Sequence, residues 1–263
     1  MRIWLGMMLL LATNLAWAEP RLVRACDNDQ DYPPFRWQRP NTDGQLEVHG
    51  LGYSLLRRIF AKHGWRLELE LLPIKRCLRE VEHGQHFQLL VSGSYNAERA
   101  KHYRLTEPYD YVSFHAFYLR QRFPDEPPVR KKADLTRWRL CGIAGHNFAM
   151  FDLKPEQIDS GAENFAAAFQ LLRAGRCDVF PYNFQTIEAL SLIGQDVLGS
   201  GEFASAEITD VPRGQILMLI SRNHRDSLAL KKLIDSELKA MAASGELAQF
   251  RQQFYREHQT KSP

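Results

Sequence analysis

Residues 91–109, VSGSYNAERAKHYRLTEPY, begin in an apolar run and continue into a short helix-like segment. The apolar run stops at Ser92 and Ser94, and Arg99 follows five residues after Ser94. Hydroxyl groups and a guanidinium are hydrogen-bond donors that suit an anion, and arginine pairs with a carboxylate through two parallel hydrogen bonds. We therefore expect an anion-binding cradle in this stretch. The alternative is that Arg99 only pairs with Glu98 or caps a helix on the surface.

The segments before this stretch alternate between strand-like and helix-like patterns. Apolar or alternating runs predict strands at 21–26, 65–73 and 87–93, and amphipathic runs that end in glycine predict helices at 52–64 and 74–84. This order of elements predicts a parallel α/β sheet. In such sheets ligands bind at the carboxyl ends of the strands, and residues 92–94 lie at one of those ends.

A second set of elements follows. We predict a long strand at 111–121, a proline-rich surface loop at 122–134, strands at 138–145 and 177–182 around a helix at 164–176, and another long strand at 213–221. Two amphipathic helices with a break near Ser244 and Gly245 close the chain. Long strands on both sides of the middle segment suggest two crossings between lobes. We expect a hinged protein with one lobe from 19–111 and 215–263 and the other from 112–214.

The first 18 residues have the layout of a secretory signal peptide. Arg2 precedes an apolar run, and the small residues Ala16 and Ala18 predict cleavage after Ala18 and export of the mature chain. The alternative is an uncleaved membrane anchor, although the run is shorter than the roughly 20 residues of a spanning helix. A lipid anchor would need a cysteine at the cut, and Cys26 lies well past it.

Composition and motifs narrow the class of protein. With 44% hydrophobic and 25% charged residues the chain can bury a sizeable core, and a net charge of +3 is too small to indicate a nucleic-acid partner. Hydrolase motifs and glycine-rich phosphate loops do not occur in the sequence, so we predict no cofactor. His83 and His86 are weak candidates for metal ligands because they flank Gly84 at a helix end, and we predict no metal site.

Four cysteines in an exported chain suggest disulfides. Of the three possible pairings, the positions favour Cys26–Cys77 and Cys141–Cys177, one in each half of the chain. Cys141 and Cys177 lie on two strand-like runs, each six residues before an asparagine, and parallel neighbouring strands would bring them to the same height. Four inert buried thiols are the alternative, and a nucleophilic thiol has no activating base at a recognisable spacing.

Taken in order, several segments resemble the periplasmic solute-binding proteins of polar amino-acid ABC transporters, family 3. They are DNDQDYPPF, GLGYSLLRRIFAKHG, SGSYNAERAKHYRLTEPY, AGRCDVF and LKKLIDSELKAMAASGELAQFRQQFY, and the resemblance runs from Arg21 to about Tyr255. It implies an α/β, two-lobed periplasmic-binding-protein type II (Venus-flytrap) fold. It also implies a monomer whose lobes close on a small solute with a carboxylate, for presentation to the membrane permease of an ABC-type importer.

The same resemblance implies the site residues. Arg99 matches the family arginine that binds the α-carboxylate of the ligand, Ser94 matches a hydroxyl donor to that carboxylate, and the backbone amide after Ser92 is a further donor. Asp29 and Tyr32 fall where the family places contacts of the first lobe. For Tyr32, stacking on the solute competes with ordinary packing beside the two prolines that follow it.

In the second lobe the resemblance implies a loop formed by Gly145, His146 and Asn147 that donates to the carboxylate. A histidine is unusual there; it would add charge, sense pH or only satisfy the loop.

Three positions depart from the family pattern. Asn183 stands where an aspartate usually binds the ammonium of an amino acid, and an asparagine carries no charge. Ile74 stands where an aromatic residue commonly forms the second wall of the site, and Gly52 replaces a common acidic residue. Recognition of an amine is therefore weakened, so we expect an amino acid or a related carboxylate.

Two other functions fit the same fold. A periplasmic dehydratase-like enzyme would need an acid–base group in the cleft, for which Asp29, Glu107 and His146 are candidates without a distinctive spacing. A lytic transglycosylase domain has no room after Tyr255. The other possibility is a ligand sensor that reports to a membrane receptor instead of feeding a permease.

Overall fold

The computed structural model describes residues 21–259, so the predicted signal peptide lies outside the described residues. The strands are β1 (Leu22–Asn28), β2 (Trp37–Pro40), β3 (Leu46–His49), β4 (Arg66–Leu72), β5 (Leu89–Ser94), β6 (Tyr103–Leu105), β7 (Asp110–Val112), β8 (Phe114–Leu119), β9 (Leu140–Ile143), β10 (Ile158–Ala162), β11 (Phe180–Asn183), β12 (Phe203–Glu207) and β13 (Gly214–Ser221). The α-helices are α1 (Leu51–Lys62), α2 (Ile74–His83), α3 (Ala97–His102), α4 (Lys132–Leu135), α5 (Phe165–Arg173), α6 (Phe184–Ala189), α7 (Ser227–Ala243) and α8 (Glu246–Gln259).

The first sheet contains six strands in the order β4-β1-β5-β13-β6, with β7 also paired to β13. β1 is parallel to both β4 and β5, as the strand–helix alternation predicted. The helices α1 and α2 end where glycines were expected to stop them, because Gly64 and Gly84 both adopt φ of 68°. The carboxyl end of β5 therefore carries Ser92 and Ser94 at the edge where ligands bind in such sheets.

The predicted single strand at 111–121 is divided between two sheets. β7 pairs with β13 in the first sheet, whereas β8 pairs with β11 and β12 in a second one. Ser113 lies between β7 and β8, and its backbone groups form hydrogen bonds with residues that belong to neither sheet pairing. Its N–H donates to Gln185 Oε1 at 2.9 Å, and its carbonyl accepts from the N–H of Phe184 at 2.9 Å. The chain thus passes from one sheet to the other at Ser113.

The second sheet has the antiparallel order β11-β8-β12, and β9 and β10 form a separate parallel pair. An isolated parallel bridge between Leu140 and Val179 connects them. The structure contains the disulfides Cys26–Cys77 and Cys141–Cys177, with Cα–Cα distances of 5.8 and 5.6 Å. In the register of that bridge, Cys141 is opposite residue 180, three residues after Cys177. The two cysteines are therefore close in space, but they are not directly opposite each other on neighbouring strands as the sequence had suggested.

The closing helices have the predicted break, with Gly245 between α7 and α8. The buried face of α7 contains Leu230, Ile234, Leu238 and Met241, whereas Leu233 is only partly buried. Burial of this face against the first sheet fixes the C-terminal segment to the part of the fold that carries β5 and β13. Within residues 21–259, no helix has both the length and the apolar character needed to cross a membrane.

Candidate functional site

Two adjoining cavities lie where the carboxyl end of β5 meets the loop after β9. The smaller has a volume of about 60 Å³ and the larger about 560 Å³. Eight residues that the sequence placed in the site line the smaller cavity: Tyr32, Ile74, Ser92, Ser94, Arg99, Gly145, His146 and Asn147. A ninth, Asn183, lines the larger cavity. The fold therefore brings together residues that are widely separated in sequence.

Arg99 is half-buried and points back to the end of β5. Its Nη1 donates to the carbonyl oxygen and to Oγ of Ser94, both at 2.9 Å. Within residues 21–259, no carboxylate forms an ion pair with Arg99. The carboxylate of the neighbouring Glu98 pairs with Lys101 and His102. Burial lowers the pKa of Arg99, with the charged form still favoured at neutral pH. The site thus holds a cation without an acidic partner.

Asn147, in the loop after β9, contacts the residues around this cation. Its Nδ2 donates to Ser94 Oγ at 3.1 Å and to the carbonyl of Tyr95 at 3.3 Å. Its Oδ1 accepts from the backbone N–H of Ala149 at 3.1 Å, which fixes the orientation of the side-chain amide. The hydroxyl oxygen of Ser94 accepts from both Arg99 and Asn147, so its own O–H remains available beside the guanidinium at the smaller cavity.

His146 also lines that cavity and pairs with a residue that sequence reasoning missed. Its Nδ1 is 2.5 Å from Tyr182 Oη. Burial, with a contribution from the nearby charge of Arg99, lowers the pKa of His146 to about 4. The imidazole is therefore neutral at neutral pH and adds no second positive charge to the site. Tyr182 also remains protonated, because burial raises its pKa well above the usual value.

Asn183 and Tyr32 bind each other across the cleft. Asn183 Nδ2 donates to Tyr32 Oη at 3.0 Å, and Asn183 Oδ1 accepts from the N–H of Thr186 at 2.9 Å as the N-cap of α6. Both polar atoms of the amide are thus engaged within the protein. The cap of α6 fixes the orientation of the Asn183 amide at the wall of the larger cavity.

Asp29 is separated from the other predicted residues. It is exposed, lines neither cavity, and its backbone N–H donates to the carbonyl of Leu72 at 2.9 Å. Asp27 contacts the smaller cavity instead, and its Oδ2 has no hydrogen-bond partner. Burial raises the pKa of Asp27 although the nearby charge of Arg36 opposes this. The predicted strand ended at residue 26, so the sequence did not place position 27 in the sheet, whereas β1 extends to Asn28.

The glycine at position 52 has a steric reason. A Cβ there would lie 2.6 Å from Tyr109 Oη and 3.1 Å from Val91 Cγ1, so an acidic side chain does not fit. Tyr109 is fully buried and its hydroxyl has no hydrogen-bond partner. Ile74 does line the smaller cavity and faces the loop at Gly145, where its Cγ2 would lie 3.3 Å from an added Cβ.

The other acid–base candidate, Glu107, lies away from the cavities. Its carboxylate is 3.1 Å from Lys239 Nζ, and its backbone N–H donates to Asp235 on α7. No group of three or more His, Cys, Asp or Glu side chains suited to a metal ion occurs in the described part of the chain. His146 is therefore the one dehydratase candidate from the sequence that contacts either cavity.

The chain is similar to known proteins over nearly its whole length. The model of the family described as bacterial extracellular solute-binding proteins, family 3, matches residues 25–257. A substrate-binding protein of an amino acid ABC transporter from Streptococcus pneumoniae, solved bound to L-arginine, has a TM-score of 0.69 at 20% identity; the match covers 89% of this chain and 94% of the other. No curated protein shows a significant match.

Two further solved structures share the fold. An ancestral arginine-binding protein bound to arginine has a TM-score of 0.66 at 17% identity, with 90% of this chain and 100% of the other covered. A histidine kinase sensor domain with similarity to periplasmic binding proteins has a TM-score of 0.66 at 18% identity, covering 90% and 96%. These likenesses establish the two-lobed α/β fold of type II periplasmic binding proteins.

Proposed function

Because the chain belongs to the bacterial extracellular solute-binding proteins of family 3, we propose that it binds a small solute, an amino acid or a related acid, through its carboxylate. The observation that carries this proposal is the cation of Arg99, which lies at a cavity without an acidic partner. Desolvated charges in proteins are normally paired, so an anion from outside would complete the site.

The donors around that position match the shape of a carboxylate. The guanidinium of Arg99 and the hydroxyl of Ser94 lie together at the smaller cavity, and the amide of Asn147 donates to that hydroxyl oxygen and to the carbonyl of Tyr95, which holds Ser94 in place. Hydrogen bonds to a charged group contribute roughly 1.5–3 kcal/mol each. A few of them suit binding in the micromolar range, which corresponds to about −8 kcal/mol.

Ligand binding in this proposal is accompanied by movement of the two lobes toward each other. We assign 19–111 and 215–263 to one lobe and 112–214 to the other, with the passage at Ser113 and the start of β13 as the two crossings. Cross-cleft bonds of Asn147 and Asn183 join the two sides. A ligand that adds bonds to both sides would favour the closed arrangement.

The proposal includes a cellular context. Residues 1–18 are the signal peptide, the mature protein works as a monomer in the periplasm without catalysing a reaction, and the permease of an ABC importer takes the solute from it. A membrane receptor is the alternative partner, since a histidine kinase sensor domain has the same fold. An intact mass that retains residues 1–18 would contradict export, and a pull-down with the loaded protein would distinguish permease from receptor.

Arg99→Ala tests the carboxylate clamp. Calorimetry with carboxylate ligands found by a thermal-shift screen should show binding weakened by roughly 2–5 kcal/mol, because the ligand charge would be buried without its partner. Arg99→Lys should recover part of the affinity, since it keeps the charge but loses the two-pronged donor. Arg137→Ala, at an exposed arginine paired with Asp134, is the matched control and should bind normally. Equal affinity in wild type and Arg99→Ala would remove Arg99 from the site.

A further inference from the structure

The smaller cavity is too small for a whole solute. A water molecule occupies on the order of 10–15 Å³ by the same kind of measure, so about 60 Å³ holds only a handful of waters or one carboxylate group. Sites for complete small molecules are usually roughly 300–1,000 Å³. If the proposed clamp holds the carboxylate, the remainder of the ligand must therefore lie elsewhere.

The larger cavity is the place that adjoins it. The two cavities share Tyr32, Ser94, Asn147 and Tyr182 as common walls, and the larger one measures about 560 Å³. Its far side is apolar and is formed by Val112, Phe114, Met150, Phe151 and Ile216. A solute with its carboxylate at Arg99 can therefore extend past the shared walls onto an apolar surface.

The charges around the larger cavity argue against a cationic end. Of the described residues that line it, Asp152 alone is acidic, and its carboxylate pairs with Lys132. Arg213, which also lines the cavity, is exposed and adds positive charge. An ammonium or guanidinium at the far end of the ligand would meet no free carboxylate in this cavity. A ligand such as arginine would need a carboxylate there to pair with its guanidinium.

We propose that the ligand is a monocarboxylate with an apolar body of several carbons, held with its carboxylate at Arg99 and its body in the larger cavity. This inference rests on the proposed function, because it uses the carboxylate clamp as its starting point. Ala149 offers a way to block the larger cavity alone. It is exposed, lines only that cavity, and contributes its backbone N–H, not its side chain, to Asn147.

The test is calorimetry with acetate, butanoate, hexanoate and 6-aminohexanoate. Wild-type affinity should rise by about two- to fourfold for each methylene from acetate to hexanoate, because each added group leaves water. The terminal ammonium of 6-aminohexanoate should weaken binding at least tenfold relative to hexanoate. In Ala149→Trp, the indole should occupy the cavity and abolish the gain with chain length, whereas Ala149→Ser is the matched control and should keep it.

The outcomes separate this inference from the proposed function. Equal affinities for acetate and hexanoate, or an unchanged gain in Ala149→Trp, would overturn the extended site while leaving the clamp intact. Equal affinities for hexanoate and 6-aminohexanoate would overturn the apolar character of the ligand. If wild type binds an amino acid but none of these acids, the apolar monocarboxylate is wrong and the clamp stands. If wild type binds neither, or if Arg99→Ala binds the acids as well as wild type does, the carboxylate clamp itself is wrong.

Discussion

His146→Gln should reduce the acid sensitivity of the ligand-free protein. Burial and the charge of Arg99 hold the pKa of His146 at about 4, against 6.5 for the unperturbed side chain. Between these values the unfolded chain binds a proton that the folded protein does not bind, so stability falls as the pH decreases through this window. Above the unfolded pKa the contribution is constant. The loss is complete only below the folded pKa.

The shift from 6.5 to about 4 corresponds to roughly 3 kcal/mol at full protonation. At pH 5 the unfolded histidine is almost fully charged and the folded one mostly neutral, so about 2 kcal/mol is lost relative to pH 8. Glutamine can still accept a hydrogen bond from Tyr182 but does not titrate. The difference in stability between pH 8 and pH 5 should therefore be about 2 kcal/mol smaller in the variant than in wild type.

Urea unfolding at both pH values provides the assay, with the disulfides intact. The comparison uses the change between the two pH values within each protein, so a uniform cost of the substitution cancels. His115, whose pKa burial also lowers, is present in both proteins and contributes equally. The same pH dependence in wild type and His146→Gln would show that the imidazole is not held neutral beside Arg99, and the account of the site's charge would have to be revised.

Two further predictions concern the disulfides and the amine. Peptide mapping of the non-reduced protein should find Cys26–Cys77 and Cys141–Cys177, and a Cys77–Cys141 link would contradict this pairing. Replacing either pair by serine should lower the free energy of unfolding by roughly 2–5 kcal/mol, measured by urea unfolding. Asn183→Asp should keep the α6 cap and, by calorimetry, weaken binding of an acid without an amine by about 2 kcal/mol through like-charge repulsion. Binding of the matching amino acid should tighten, and if both ligands respond alike, position 183 does not contact the amine.

The fold could be predicted from the sequence because its signals are local. Hydrophobic periodicity and terminal glycines gave the alternation of strands and helices that α1, β4, α2 and β5 follow. The division of residues 111–121 between two sheets was missed, because β7 and β8 have one continuous strand-like pattern. The break at Ser113 depends on hydrogen bonds to residues 184 and 185. These residues are about 70 positions away, so the local sequence pattern of residues 111–121 could not indicate them.

The candidate site was predictable only in part. Ser94 and Arg99 were suggested by the spacing between a hydroxyl and an arginine, and Asn147 by the family resemblance alone; the structure brings all three to one cavity. Tyr182 was missed because it lies in an apolar strand-like run, where a tyrosine normally indicates core packing. Its hydroxyl matters only because the fold brings His146 within hydrogen-bonding distance.

The position of Asp27 bears on which ligands the site can select. Because β1 continues to Asn28, Asp27 is enclosed in the sheet and Asp29 emerges at the surface. The buried cation of Arg36 lies near Asp27, and burial lowers the pKa of the arginine while it raises that of the acid. Arg36 also pairs with Asp31, at 3.7 Å, so its charge is shared between two carboxylates.

The raised pKa of Asp27 favours its neutral form, which weakens its attraction for an ammonium group. Asn183 carries no charge, and its amide donates to Tyr32 and caps α6. The neutral imidazole of His146 contributes no charge either. Arg99 thus remains the one cation at the smaller cavity without a compensating acid among the described residues, and electrostatic complementarity favours a monoanion over a zwitterion.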